Sequence, residues 1–154
     1  MTKTGRTTIA LGVVLVAVAG AFMAVWSPGT PTQADHTNAE LVAQGQQIYQ
    51  QYCASCHGAG LEGQPNWQTR RPSGALPAPP HDESGHTWHH PDQLLFQMTK
   101  FGIKPFAPQG WVSDMPAFEG VLSDEQIWAV LAFIKSRWPE KVREYQRQRN
   151  EAAR

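Results

Sequence analysis

Cys53-Ala54-Ser55-Cys56-His57 holds both thiols of a 154-residue chain and sets an imidazole directly after the second. Two cysteines separated by two residues and followed at once by histidine form the pattern of covalent haem attachment. The thiols add to the porphyrin vinyl groups, and the adjacent imidazole reaches the iron. At the end of a helix this spacing lays Cys53 and Cys56 along one porphyrin edge and aims His57 beneath it. A thioredoxin-like redox pair would need a surrounding βαβ pattern, which the flanking sequence lacks, and a zinc site would need two further ligands. Two cysteines are also too few for a disulfide scaffold.

Upstream, Leu41, Val42, Gly45, Ile48, Tyr49 and Tyr52 recur at three- and four-residue spacings, with Asn38 available as N-cap, so a first helix runs into Cys53. A second starts at Pro91, puts Leu94, Leu95, Met98 and Phe101 on one side and stops at Gly102. The third begins at the capping box Ser123-Asp124-Glu125-Gln126. Its apolar stripe is Ile127, Trp128, Val130, Leu131 and Ile134, and Lys135, Arg137 and Pro139 close it. Between the first two helices lie the 33 residues Gly58 to His90, with eight Pro or Gly from Gly60 to Pro80 and no alternation of the strand kind. A compact domain rarely carries such a loop with nothing to wrap around. Three helices of this size also bury little on their own, and a large apolar cofactor resolves both problems. The expected fold is all-α: three main helices and long loops around one covalent haem c.

The chain suits one modest domain. Its 13 Lys+Arg balance 13 Asp+Glu, but unevenly. Residues 135–154 hold seven basic side chains against three acidic ones, a net of +4, whereas residues 27–134 carry four against ten, a net of −6. The basic tail reads as a solvated helical extension with a frayed end, or as a surface for an anionic partner or lipid headgroups. Ile9 to Trp26 is an 18-residue stretch without a charge, preceded by Lys3 and Arg6. That suffices to span a bilayer, and the leading positive charges keep the N-terminus cytoplasmic. A cleaved signal peptide is the competing reading, with Thr32-Gln33-Ala34 as a weak cleavage site. The organisation expected is an anchor over 1–26, a linker over 27–37, a haem domain over 38–138 and a basic extension over 139–154. A single-pass chain in a bacterial inner membrane then holds its haem on the periplasmic side, or is secreted there if cleaved.

With His57 proximal, a second iron ligand is needed, and Met115-Pro116 lies in a turn-like stretch ahead of the third helix. A thioether there favours Fe(II) and raises the reduction potential. Ser113 and Asp114 beside Met115 argue against simple core packing, whereas Met98 shares an apolar stripe and reads as core filler. His81, His86, His89 and His90 are the other candidates for the distal position.

On these features the chain resembles class I c-type cytochromes over about Asn38 to Trp138. The resemblance implies a first helix crossing a C-terminal helix near one haem edge, with Gly45 and Tyr49 meeting Trp128 beside Leu131. It implies a proline, Pro79 or Pro80, packed on the proximal histidine, and a propionate partner among Trp67, Arg70, Arg71 and Trp111. Gly58 after His57 and Pro116 after Met115 match the family pattern.

His81 to His90 departs from it, with four imidazoles and the carboxylates of Asp82 and Glu83 within ten residues. These are metal-ligand types, and a copper or zinc site is one reading. The other has them bonding loop backbone and propionates, His90 capping the second helix and Trp88 packing on the haem or the third helix. A six-coordinate haem leaves no open position for a substrate, and no nucleophile–base pair is visible. Outer-sphere electron transfer to redox partners in or at the membrane is therefore expected, with no nucleic acid and no small-molecule substrate. A haem subunit of a larger membrane oxidoreductase and a gas-sensing or metal-handling haem protein are the alternatives.

Overall fold

The computed structural model describes residues 32–154, and within them every regular element is helical. The elements are α1 (Ala39–Tyr52), the single turn α2 (Ala54–His57), α3 (Asp92–Phe101), α4 (Asp124–Ser136) and α5 (Glu140–Ala152), with 3₁₀ turns at Thr87–His89 and Lys104–Phe106. The expected anchor over 1–26 and residues 27–31 of the linker lie outside the described residues. No helix among the described residues is long and apolar enough to cross a membrane.

The end signals act as their chemistry predicts. Asn38 accepts from the backbone N–H of Glu40 and Leu41 at the start of α1. Ser123 and Gln126 exchange side-chain and backbone bonds at the start of α4, a complete capping box. All five residues of the apolar stripe read for α4 are buried, and burial is continuous from Ile127 to Lys135. A helix buried on nearly every side sits at the centre of the domain, and both α1 and α3 pack against α4.

The α1–α4 crossing is closest at Gly45, where a Cβ would lie 1.9 Å from the Ala129 carbonyl oxygen and 2.9 Å from the Phe133 Cβ. No side chain fits there, so the absence of one brings the two backbones together. The aromatic pairing differs from the expectation. Tyr49 meets Phe133, with ring centroids 5.4 Å apart, while Trp128 turns to α3 and stacks on Phe96 at 4.4 Å and 19°. The same stack corrects the face of α3. Phe96 is its buried residue, and Phe101, assigned to the inner stripe, is 42% exposed. Phe96 lies apart from the other apolar residues of this ten-residue helix, and the partner ring on α4 decides that it is the one buried.

The C-terminal segment is helical, but it is docked rather than solvated. Gln146 is fully buried and donates to the His90 carbonyl and the Asp92 carboxylate. Asn150 Oδ1 accepts from the Asp92 N–H at 2.6 Å, so α5 caps the N-terminus of α3, in place of the side chain of His90. The other Asp92 oxygen pairs with Lys135 at 2.8 Å, the one charged side chain buried on α4. Within α5 the three glutamates pair with arginines, Arg143 with Glu140 and Arg147 with Glu144 and Glu151, while Asp92 takes one charge of the remaining basic excess through Lys135. The end of the expected linker is docked as well, with Ala34 in the core.

Candidate haem-binding site

Cys53 caps α1, and Ala54–His57 form one further helical turn, so the attachment motif lies at a helix end as its spacing requires. Gly58 then takes φ +82°, a left-handed conformation that ends the turn. The Tyr49 hydroxyl donates to the carbonyls of Gly58 at 3.0 Å and His57 at 3.3 Å, which ties the turn to the core of α1. Burial, helped by the neighbouring Cys56, pushes the Cys53 thiol up to about 11, so before attachment it is protonated. Cys56 is exposed.

His57 is buried, and its Nδ1 lies 2.8 Å from the Pro79 carbonyl oxygen. A carbonyl can only accept, so Nδ1 carries the proton and Nε2 keeps its lone pair. Burial pulls the His57 pKa down against the opposing effect of that bond, which keeps the ring neutral and fit to ligate a metal. The proline loop is held from below. Gly63 N–H donates to the His57 carbonyl at 2.8 Å and Gln64 N–H to that of Ala78 at 2.9 Å. A Cβ on Gly63 would meet Pro80 N at 2.4 Å. Pro79 therefore acts through its carbonyl, while the ring stacked on His57 is that of His81, at 3.9 Å and 19°.

Met115 packs against the edge of the core, and Ser113 Oγ accepts from its N–H at 3.2 Å. Arg71 pairs with Asp114 at 3.1 Å and bonds Gln64, while Arg70 lies over the Trp111 ring at 4.4 Å. Three of the four proposed propionate partners thus tie the loop after His57 to the one before Met115. The fourth, Trp67, stacks on His86 at 5.4 Å and 9°. Phe101, Phe106 and Val112, between α3 and Met115, are 42%, 39% and 41% exposed, apolar surface of the kind a porphyrin covers. Two thiols, a neutral imidazole with a free Nε2, a thioether and uncovered apolar side chains fit a haem.

The imidazoles of the His-rich segment go mostly to different neighbours, with His90 standing edge-on to His86 at 5.6 Å. His81 stacks on His57, His86 on Trp67, and His89 on Trp88 at 3.8 Å. Among the described residues no group of three or more His, Cys, Asp or Glu is arranged to hold a metal ion, so nothing here supports the copper or zinc reading. Trp88 packs against Tyr145 of α5 at 5.2 Å, a contact the sequence reading did not foresee. The roles of Tyr49 toward the attachment turn and of His81 toward His57 were also missed. The available signal for His81 was its place two residues after Pro79.

Fold and site together define a c-type cytochrome of the class I kind. Residues 40–134 match the family model described as cytochrome c oxidase, cbb3-type, subunit III, and the chain belongs to that family. It is accordingly a haem-binding electron-transfer cytochrome, and its cofactor is covalently bound haem c. Searches among curated proteins and among solved structures found no match.

Proposed function

We propose that this chain carries single electrons through a haem held by Cys53, Cys56, His57 and Met115 on the periplasmic side of a bacterial inner membrane. The His57 Nδ1 bond to the Pro79 carbonyl carries the reading, because it presents Nε2 as a lone-pair donor beside two thiols. Haem c supplies an iron that cycles between Fe(II) and Fe(III). Cys53 and Cys56 form the two thioethers, and His57 holds the proximal position from a turn that Tyr49 anchors. Met115 offers its thioether on the distal side, filling the last position and favouring Fe(II). Held by both His57 and Met115, the iron would have no position left for a substrate, and the chemistry the haem would supply is outer-sphere electron transfer.

Residues 9–26 tether the domain, which raises its effective concentration for redox proteins in the same membrane. The second reading is a haem subunit of a larger oxidase, favoured by the description of the matched family.

Absorption spectra of the purified full-length protein, oxidised and reduced, test ligation. A covalent low-spin haem with the weak near-infrared band of Met-to-Fe(III) ligation and no response to carbon monoxide is expected. A high-spin or carbon monoxide-reactive haem would remove Met115 from the distal site and bring sensing or catalysis forward. Purification from mildly solubilised membranes separates the two roles: a stable stoichiometric complex would replace the mobile carrier with the subunit.

A further inference from the structure

We infer that His81 is a positioning residue for His57, the face of its ring setting the plane in which the axial imidazole meets the iron. The inference rests on the reading of His57 as an axial ligand. One hydrogen bond, from Nδ1 to the Pro79 carbonyl, fixes a direction within the His57 ring plane but leaves the ring free to rock about that bond. The His81 ring, 3.9 Å away and 19° from parallel, blocks this rocking from one face.

His81 is itself held from several sides. Its N–H donates to the Leu61 carbonyl at 2.8 Å, and its carbonyl accepts from Trp138 Nε1 at 2.7 Å. Tyr49 stands edge-on to its ring at 6.0 Å. Gly85 closes the segment, since a Cβ there would lie 2.0 Å from the Pro80 carbonyl oxygen. The ring owes its place to this packing and not to its own polar atoms, because Nδ1 is buried with no partner. A leucine would fill the same slot without stranding a nitrogen. What an imidazole adds is a flat aromatic face against a ligand whose positive charge grows when iron is oxidised. Aromatic faces attract positive charge, so the stack favours Fe(III) and lowers the reduction potential.

The test compares full-length holoprotein with His81→Leu, which removes the flat face, and His81→Phe, which keeps it. The readouts are the g values of the ferric haem in electron paramagnetic resonance, which report ligand-plane orientation, and the midpoint potential by spectroelectrochemistry. H81L is expected to displace the g values and raise the midpoint, a shift of roughly two- to fivefold in the Fe(II)/Fe(III) ratio at fixed potential. H81F is expected to restore both. Wild-type g values and midpoint in H81L overturn the inference, and so does an equal shift in both variants. If H81L does not assemble, H81F decides alone: native g values support the role and displaced ones overturn it. A near-infrared Met band intact in every variant, with no change in g values, sinks the positioning role and leaves His57/Met115 ligation standing. Absence of that band in the wild type sinks the ligation reading itself.

Discussion

A single carbonyl, that of Pro79, decides which nitrogen of His57 faces a metal, and a single missing side chain, at Gly45, decides how closely α1 and α4 approach. Both effects can be isolated by substitution. Gly45→Ala drives a methyl group against the Ala129 carbonyl and should cost about 3 kcal/mol, the upper part of the usual overpacking range. Guanidinium unfolding followed by circular dichroism would measure it, and an unchanged midpoint would show that the crossing can separate freely. Met115→Ala removes the distal thioether, so the near-infrared band should vanish, carbon monoxide should bind the reduced haem and the potential should fall. A variant that keeps the band and ignores carbon monoxide would move the distal ligand elsewhere.

Among the elements, α5 changes most from its reading in the sequence, and Asp92 shows why. One carboxylate in the first turn of α3 takes Lys135 of α4, Gln146 and Asn150 of α5, and so joins three helices at one largely buried point. Removing it leaves the Lys135 ammonium without its partner and Gln146 short of an acceptor. Asp92→Ala should therefore lower stability by about 3 kcal/mol, near the lower end for breaking a buried pair because both side chains keep some solvent contact. Thermal unfolding of the holoprotein checks this. Ending the chain before α5 should have a comparable effect of about 3 kcal/mol, from hydrogen bonds of about 1 kcal/mol each to Asp92 and to the His89 and His90 carbonyls. The haem spectrum should be retained, because no residue proposed to hold the cofactor comes from α5.

For the molecule as a whole, the histidines away from the iron set how stability follows pH. His90 is held below the ordinary imidazole range by burial, then by the charges of His86, His89 and Arg149. His36 is lowered by burial, then by Lys135 and Arg143. His86 is lowered by burial, then by the charge of His89. Each binds its proton more weakly folded than unfolded, so between the two pKa values the unfolded chain holds more protons and stability rises with pH. The contribution is full above the unfolded value of about 6.5 and is lost as pH falls through the lower folded values. Denaturant midpoints should fall from pH 7.5 to 5, to check at about half-unit steps. The double variant His36→Asn/His90→Asn should flatten that slope, and an unchanged slope would show that other groups carry it.

Short-range chemistry in the chain determined the attachment turn, the caps of α1 and α4 and the buried stripe of α4. Each follows from residues within a turn or two of one another, where spacing alone fixes geometry. The tertiary structure decided what depends on contacts between distant segments. It chose Phe96 over Phe101 as the buried face of α3, because Trp128 waits on α4. It folded a basic tail onto the domain, because Gln146 of α5 donates to Asp92 and to the His90 carbonyl, acceptors far away in the sequence. It also gave three of the clustered imidazoles separate stacking partners, His57 for His81, Trp67 for His86 and Trp88 for His89, because an imidazole can either stack or ligate and its local sequence does not say which partner it will meet.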